Sequence, residues 1–397
     1  MDFELPDELK MIQSTVRDFV TEQLKPLERS ILGRAADLSD ATMYLPLEKE
    51  RELMGMVKDL GLWGVSIPEE LGGVGLDTLG KCLVEEELAQ TIVPFSFGDV
   101  TPLLFDCNEA QRGKYFSPVL ERQKYAYLAL MEPSKEGFEN MEMRAEKTNG
   151  RYYLSGKKIS LSRAGEDYFA VVFAKLIPGQ SEGTPGKEPR EGVTCFLVDK
   201  DTPGFVTNGG REKMGWEAQV REPILLAFDR CQVSEENILG GEGEAFYLGR
   251  KWLPARRVVR GARCVGAAQR VLEESTIQAQ TWTSFGQFIS GRSSIQAALA
   301  NIATSIHAAR LMVYEVAWKA DQGQSIQREA AMVKLFATRM IHSVADNASH
   351  IFNAPAYVGG LPMERFCRNA IATSVTDSAL QLQRNIIARD ILKGMKV

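Results

Sequence analysis

The stretch WGVSIPEELGG, residues 63–73, separates two segments of helical periodicity. Before it, LEKERELMGMVKDL (residues 47–60) places apolar side chains at intervals of three and four residues. After it, TLGKCLVEEELAQ (residues 78–90) repeats that spacing. The proline and the paired glycines of the intervening stretch mark it as a turn. Residues 1–120 are therefore predicted to form a helical domain.

The spacing of apolar residues changes to alternation in the middle of the chain, between residues 121 and 235. Four runs there have the pattern of β-strands: RYYLSGKKISL, YFAVVFAKLI, VTCFLVD and PILLAFDRCQV. From residue 236 to residue 397 the helical spacing returns over long segments. The sequence thus predicts three domains in the order helical, β and helical.

Composition and charge narrow the classes of function. The chain has 397 residues and a net charge of -5, with acids and bases interspersed, so no basic surface for nucleic acid is predicted. No apolar run approaches the roughly 20 residues of a membrane-spanning helix, and the acidic start predicts an untargeted, cytoplasmic protein. The six cysteines contain no CxxC pair and the three histidines have no ligand-like spacing, so neither a disulfide framework nor a metal site is expected. Acid–base chemistry would then come from a carboxylate.

Seven short motifs occur in an order that resembles the acyl-CoA dehydrogenase family. They are Trp63–Gly73, Asn108–Gln111 with Lys114-Tyr115, Glu132-Pro133, Lys213–Trp216, Asn237–Gly240, Pro362–Arg365 and Gln383–Arg389. Each motif alone is weakly specific. Because seven of them follow in one order over almost the whole chain, the resemblance is specific.

The resemblance implies a mainly α fold with a central β domain. The family has an N-terminal helical domain, a β-barrel-like middle domain and a C-terminal four-helix bundle. It also implies an acyl-CoA substrate, FAD as cofactor, and a homotetramer or a heteromer with a paralogue. Apolar residues on the predicted C-terminal helices are expected to supply the contact between subunits: Ile302, Ile306, Leu311, Met312 and Val316.

Asp377 is the candidate catalytic base. In the family a carboxylate removes the α-proton of the thioester while the β-hydride passes to flavin, and burial gives such a carboxylate a useful pKa. Asp377 lies seven residues before Arg384, where the family most often has glutamate, and aspartate is one methylene shorter. The alternative is that Asp377 caps the helix that follows it. A minority of the family carries the base on an earlier helix, where this chain has Arg256.

Positions that face the flavin ring in the family differ in this chain. Met131 replaces a hydroxyl residue, Ser160 replaces a tryptophan, and Ser162 keeps a hydroxyl on the same strand. The following loop, Ser134–Phe138, also differs, and its Gly137 is a candidate for substrate binding.

Positions near the diphosphate of FAD differ as well. Trp282 stands where the family has an arginine, three residues before Phe285. Arg292 lies next to a replaced glutamine position and is placed to bind the cofactor in its stead. Asn353 and Ala354 replace a pair of glycines that lets the backbone approach phosphate.

Four arginines, Arg256, Arg257, Arg260 and Arg263, occur on one predicted C-terminal helix. Residues 256, 260 and 263 share a helix face, and Arg257 matches an arginine that is common near the active site of the family. One hypothesis is that these side chains bind an anion, such as a carboxylated acyl chain, a CoA phosphate or an enolate. The other is that they form a solvated or subunit-bridging basic stripe.

Three functions remain open at the level of sequence. The first is FAD-dependent α,β-dehydrogenation with Asp377 as the base. The second is a non-redox reaction of acyl-CoA on the same scaffold, namely hydration, elimination or isomerisation. The third is a cofactor-poor subunit that pairs with a complete paralogue, and fold alone does not separate the three.

Overall fold

The computed structural model describes residues 4–35, 45–133, 141–160, 167–177, 192–208, 224–357, 361–374 and 380–394. These residues form two compact units. The helical unit runs up to Phe97 and resumes at Trp252, and the β unit lies between Gly98 and Lys251. Within the described ranges, no helix is both long and apolar enough to span a bilayer.

The first part of the helical unit carries the helices α1 (Asp7–Phe19), α2 (Glu28–Ala35), α3 (Leu47–Asp59) and α4 (Thr78–Leu88). The first turn of α4 is satisfied by two carboxylates. Asp77 accepts the backbone N–H of Gly80 at 2.6 Å, and Asp321 accepts those of Thr78 and Leu79 at 2.6 and 3.0 Å. Carboxylates in this position hold the otherwise unpaired N–H groups and suit the positive end of the helix.

The β unit starts with the short helices α5 (Glu109–Gln111) and α6 (Ser117–Leu120). Its strands are β1 (Tyr125–Ala129), β2 (Arg144–Thr148), β3 (Arg151–Ser160), β4 (Tyr168–Ile177), β5 (Val193–Asp199), β6 (Phe205–Asn208), β7 (Ile224–Val233) and β8 (Ile238–Leu239). They form one mixed sheet in the order β6-β7-β3-β2-β4-β5-β8, with β1 also paired to β4. β4 is buried along most of its length, as its continuous apolar sequence predicts.

The helical unit resumes with α7 (Leu253–Thr281), a hairpin of β9 (Thr283–Ser284) and β10 (Gln287–Phe288), α8 (Ser293–Asp321), α9 (Gln327–Phe352), α10 (Pro362–Ala372) and α11 (Leu380–Leu392). α7, α8 and α9 pack on one another, α10 and α11 pack on α9, and α4 packs against α7 and α8. The predicted order of helical, β and helical segments is confirmed. The domain boundaries at residues 120 and 235 stay a prediction.

Two glycines of α7 bring it unusually close to its neighbours. A Cβ on Gly266 would lie 1.8 Å from the backbone carbonyl oxygen of Glu86 in α4. A Cβ on Gly261 would lie 2.5 Å from Cγ1 of Val333 in α9. Both distances are shorter than any side chain tolerates, so α7 can occupy this position only with glycine at these two points.

Replacing Gly266 with alanine should lower the free energy of unfolding by about 3 kcal/mol, because the new methyl group meets backbone that cannot rotate away. Gly55 in α3 is the matched control, since a Cβ there meets nothing within 4 Å. Gly55→Ala should instead stabilise the protein, by up to about 1 kcal/mol of helix propensity. Urea denaturation followed by circular dichroism measures both. A Gly266→Ala protein as stable as its parent would contradict the helix crossing.

Candidate functional site

A buried ion pair in the β unit joins β3 to the residues that follow β1. Lys158 on β3 is fully buried, and its ammonium lies 3.0 Å from the carboxylate of Glu132 and donates to the carbonyl of Leu130 at 3.0 Å. The Glu132 side chain is only 7% exposed. Its carboxylate also accepts the backbone N–H of Glu142 at 2.8 Å and of Met143 at 2.9 Å. The pair is therefore compensated by hydrogen bonds on both sides, as buried charges require.

These contacts decide the charge state of Glu132. Burial works to raise the pKa of its carboxyl, but the two backbone N–H groups and Lys158 outweigh burial and lower that pKa. The same contacts join the chain before residue 134 to the chain after residue 140. The segment between, 134–140, lies outside the described residues, and the candidate substrate residue Gly137 lies within it. Glu132 thus holds the two described ends of that segment.

Two candidate flavin residues of the β unit are neighbours. The backbone N–H of Ile159 donates to the carbonyl of Met131 at 2.8 Å, which places Met131 beside the end of β3, where Ser160 lies. The Met131 side chain is 48% exposed and offers apolar contact, whereas Ser160 is fully buried. Ser162 lies outside the described residues. The roles of all three in cofactor binding stay a prediction.

The hairpin of the helical unit brings two further candidates together. Phe285 is 99% exposed, at the tip of the turn between β9 and β10, and its backbone has a φ of +53°. The guanidinium of Arg292 lies 5.9 Å from the centroid of the Phe285 ring, which is the geometry of a cation–π contact. Trp282, at the base of the hairpin, is 51% exposed. The indole of Trp282 is therefore not packed fully into the core of the helical unit.

Asn353 has a backbone conformation that is typical of glycine. It ends α9 with φ 58° and ψ -131°, a combination that L-residues other than glycine rarely adopt. The turn is held by hydrogen bonds from the N–H of Asn353 to the carbonyl of Ser349 at 2.8 Å, and from the N–H of Ala356 to the carbonyl of Asn353 at 2.9 Å. Holding such a residue there costs about 1–3 kcal/mol, which marks the turn as constrained.

The chemistry of these positions fits FAD, with fewer side-chain donors than the resemblance implies. Arg292 supplies a cation for a phosphate and Phe285 an aromatic ring. Met131 supplies apolar surface. The backbone of Asn353 has a positive φ of 58°, a conformation that favours glycine.

The four arginines of α7 differ in their contacts and in their exposure to solvent. Arg263 is bound within the fold, because its guanidinium lies 3.0 Å from the carboxylate of Glu85 in α4. The Glu85 carboxylate neutralises the charge of Arg263, and the hypothesis that Arg263 belongs to an anion-binding face stays a prediction. Arg257 is 8% exposed, whereas Arg256 and Arg260 are partly exposed.

The candidate base, Asp377, lies in segment 375–379, which is outside the described residues. The described chain stops at Ser374, after α10, and resumes at Leu380 with α11. Neither its role as base nor its role as helix cap is tested, and both stay predictions.

Metal and thiol chemistry find no support among the described residues. No group of three or more histidines, cysteines, aspartates and glutamates is arranged there to hold a metal ion. All six cysteines are unpaired, and five of them are buried. Burial raises the pKa of the Cys107 thiol to about 12, so the reactive thiolate form is scarce at neutral pH.

Three residues were not anticipated from the sequence: Lys158, and Lys334 and His342 on α9. Lys158 could have been found from strand alternation, since residues 152, 154, 158 and 160 of β3 are all buried. Lys334 and His342 lie eight residues apart, which places them on the same face of α9. That signal is weaker, because their partners lie on another helix.

The chain matches the acyl-CoA dehydrogenase family along its length. The N-terminal domain of the family matches residues 6–123, the middle domain residues 128–225 and the C-terminal domain residues 246–392. An acyl-CoA dehydrogenase of Bacillus subtilis (strain 168) is 30% identical over 393 residues, which cover 97% of this chain and 98% of that protein.

Other relatives cover the chain just as fully. An (R)-benzylsuccinyl-CoA dehydrogenase of Thauera aromatica is 29% identical, covering 99% of this chain and 97% of that protein. The solved structure of butyryl-CoA dehydrogenase from Megasphaera elsdenii superposes with a TM-score of 0.79 at 26% identity, covering 99% of this chain and 100% of that one. The fold predicted from the sequence is thereby confirmed.

Replacing Glu132 with glutamine should lower the free energy of unfolding by about 3–5 kcal/mol at neutral pH, because Lys158 is left buried without its counter-charge. The lowered pKa of Glu132 means that its contribution is complete above the pKa of an unfolded glutamate, about 4.3, and is lost as pH falls through the folded value. The difference between parent and variant should therefore shrink in acid.

The matched control for this prediction removes both charges. Glu132→Leu with Lys158→Met should be more stable than Glu132→Gln alone, since no buried charge remains unpaired. Denaturation at neutral and acidic pH measures the series. Equal stability of parent and Glu132→Gln at neutral pH would show that the pair contributes nothing.

Proposed function

The chain belongs to the acyl-CoA dehydrogenase family, and on that premise we propose that it is an FAD-dependent enzyme that forms the α,β double bond of an acyl-CoA thioester. Enzymes of this family are oxidoreductases and bind FAD. The observation that carries the proposal is the match of all three family domains in one chain, together with the relative that is 30% identical over 97% of it.

Asp377 is the proposed base. A carboxylate there takes the proton from the α-carbon of the thioester, and bound FAD supplies the acceptor for the β-hydride. The support is its position in sequence, since it is the carboxylate that stands seven residues before Arg384. Aspartate reaches less far than glutamate, so the proposal requires the segment that carries it to be held closer to the substrate.

Residues of both the helical unit and the β unit have side chains or backbone suited to binding FAD. We assign Arg292 to a phosphate, Phe285 and Met131 to ring contacts, and the turn at Asn353 to close backbone approach. Ser160 and Ser162 are retained as candidates on the family resemblance alone.

Binding of the acyl-CoA substrate is assigned to α7 and to the segment that contains Gly137. Arg256 and Arg257 are adjacent on α7, and Arg260 lies about one turn further along the helix. A guanidinium group binds a carboxylate or phosphate through paired hydrogen bonds. An anionic part of the acyl-CoA is the ligand that this chemistry fits best.

A homotetramer, or a heteromer with a paralogue, is the proposed assembly. Leu311 and Trp318 on α8 and Phe336 on α9 remain exposed in the single chain and offer apolar surface to another subunit. Three residues that were expected on that surface are buried in the core of the helical unit instead: Ile302, Ile306 and Val316. A reducing, cytoplasmic compartment is proposed from the unpaired cysteines.

A second candidate function is a non-redox reaction of acyl-CoA on the same scaffold, or service as a cofactor-poor subunit. The observation that favours it is the loss of donors: Met131 has no hydroxyl and the Ser160 side chain is fully buried. In that case proton transfer at the α-carbon would occur without hydride transfer.

Replacing Asp377 with asparagine should abolish exchange of the α-protons of butyryl-CoA with deuterated water while leaving its binding within about threefold, because shape is kept and the titrating group is lost. Asp377→Glu should retain exchange. Mass spectrometry follows the exchange and calorimetry the binding. Undiminished exchange in Asp377→Asn would return this residue to the role of helix cap.

As isolated, the protein should contain clearly less than one FAD per chain, or none, because Met131 has no hydroxyl for the flavin ring and Trp282 has no charge for the diphosphate. Each charge-assisted bond is worth about 1.5–3 kcal/mol, so Trp282→Arg should raise FAD affinity by roughly 10- to 100-fold. Met11→Arg, at an exposed position of α1, adds the same charge as a control. Stoichiometric FAD that survives extensive dialysis of the parent would contradict this prediction.

A further inference from the structure

The helical unit contains a polar cavity of about 510 Å³, lined by side chains of α1, α4, α7 and α8 and of the turn that follows α1. Pockets that bind small molecules have volumes of roughly 300–1,000 Å³. Every lining residue is polar or charged, and none of them is a candidate for catalysis or for binding FAD or acyl-CoA. The function proposed above therefore leaves this cavity without a role.

Glu87 of α4 lines the cavity with a buried carboxylate that the protein itself neutralises. Glu87 is 2% exposed, and the guanidinium of Arg17 lies 2.7 Å from its carboxylate. The side-chain amides of Gln13 and Gln90 donate to the same carboxylate at 3.0 and 2.7 Å. Because both amide nitrogens are used in this way, the amide oxygens of Gln13 and Gln90 are available to accept hydrogen bonds from a ligand.

Glu86, the preceding residue of α4, is paired in a similar way. It is 4% exposed and accepts the Nε–H of Arg310 at 2.8 Å and the hydroxyl of Tyr314 at 2.9 Å. A second nitrogen of the Arg310 guanidinium donates to the side-chain oxygen of Gln269 at 3.2 Å. The two buried carboxylates of the cavity are therefore matched by two arginines, and neither carboxylate requires a cation from outside.

Lys25 is the cation that this network leaves over. Its side chain lines the cavity, and its ammonium makes no hydrogen bond or ion pair with the part of the chain that the structure describes. Burial lowers the pKa of Lys25, the positive charge of Arg270 lowers it further, and the surrounding carboxylates do not compensate. An anion placed against the ammonium would stabilise its charged form.

The backbone changes its geometry where it carries Lys25 to the cavity. Gln13, Arg17, Thr21 and Lys25 follow one another at intervals of four residues, and all four line the cavity. In a regular α-helix each interval of four rotates the side chain by about 40° around the axis, so the last of four would be displaced by roughly 120°. A π-helical turn, Val20–Leu24, follows α1 and holds an extra residue, which brings Lys25 back toward the face of Gln13.

The residue after Lys25 accounts for this turn. Pro26 has no N–H, and its ring crowds the carbonyl four residues earlier, so a regular α-helix is not continued here. The N–H of Lys25 instead bonds to the carbonyl of Val20, five residues earlier. Single π-helical turns are rare and occur frequently at functional sites. The backbone therefore gives a second, independent reason to regard Lys25 as a ligand-binding residue.

We propose that the cavity binds a small metabolite through an oxyanion, a phosphate or a carboxylate, that pairs with the ammonium of Lys25. The hydroxyl of Thr21 lies on the same turn of the chain and lines the same cavity. Arg17 and Arg310 each keep N–H groups that no described residue accepts. Ammonium and guanidinium groups form the stronger, charge-assisted hydrogen bonds to such an oxyanion.

The acceptors that line the cavity define the rest of the ligand. They are the amide oxygens of Gln13 and Gln90 and the carboxylate of Glu273. Among the described residues, Glu273 accepts one hydrogen bond, from Gln269 at 3.0 Å, and a carboxylate has room for more. Hydroxyl groups on the ligand satisfy these acceptors. The ligand class is therefore a hydroxylated phosphate or a hydroxy acid.

The test measures binding of three probes to the full chain by isothermal titration calorimetry. Glycerophosphate carries a phosphate and hydroxyl groups, malate carries carboxylates and a hydroxyl group, and glycerol carries no oxyanion. Lys25→Met removes the ammonium and keeps the apolar stem. Lys10→Met is the matched control on α1, since the Lys10 side chain is 48% exposed and pairs with Asp7.

Glycerophosphate, malate or both should bind the parent, and glycerol should not; the probe that binds distinguishes phosphate from carboxylate. Lys25→Met should weaken binding at least about tenfold, because its charge-assisted hydrogen bonds are lost. Lys10→Met should stay within about twofold of the parent, because solvent and salt screen an exposed charge. The proposal is overturned if neither probe binds the parent at millimolar concentration, or if Lys25→Met binds as tightly as the parent.

A second measurement needs no variant, so it decides the matter if Lys25→Met does not fold. The parent is treated with limiting acetic anhydride with and without the probe, and acetylation of each lysine is read by mass spectrometry. The bound probe should slow acetylation of Lys25 at least about fivefold, because only the free protein reacts there, and should leave Lys157, exposed on β3, unchanged. Equal rates at Lys25 with and without the probe would contradict the proposal. Neither measurement involves flavin or acyl-CoA, so the outcome is independent of the proposed function.

Discussion

The crossing of α7 and α4 at Gly266 is the constraint on which the helical unit depends. At this point the backbone of one helix contacts the backbone of the other, and a Cβ on Gly266 would lie only 1.8 Å from the carbonyl oxygen of Glu86. The close approach fixes α7, and Gly261 then sets α7 against α9 at Val333. α9 in turn supports α10 and α11. The candidate residues of α7 and the helices on both sides of segment 375–379 therefore depend on two positions that admit no side chain.

Buried charge is the second organising feature, and it occurs beside the segments that carry candidate residues. Lys158 and Glu132 hold the described ends of segment 134–140. Lys334 holds the helix end that precedes segment 375–379. A buried ion seldom adds stability compared with an apolar side chain, but it is strongly destabilising when its partner moves away. Such groups are suited to fixing a position, which is what acid–base chemistry and cofactor binding require.

The sequence predicts the fold well because its signals are local. The spacing of apolar residues is a property of each helix or strand by itself. Its change after residue 120 and again near residue 236 therefore predicts the order of helices and strands without any knowledge of packing. Contacts between distant residues are different. The hydrogen bond from Lys334 to Thr373 joins residues that are 39 positions apart in the sequence, and the ion pair of Arg263 with Glu85 joins residues that are 178 positions apart. The backbone of Asn353 was also not predicted, since a φ of 58° is rare for a residue other than glycine and no pattern in the sequence indicates it.

The most direct test of the redox assignment is to load the protein with FAD, mix it with butyryl-CoA in the absence of oxygen, and follow the visible absorbance of the oxidised flavin. The account predicts that the absorbance falls as hydride reaches the flavin, and that it does not fall in Asp377→Asn, where the α-proton is not removed. If the parent binds both FAD and butyryl-CoA and exchanges α-protons while the flavin stays oxidised, the chain carries out proton transfer without dehydrogenation, and the central claim is wrong.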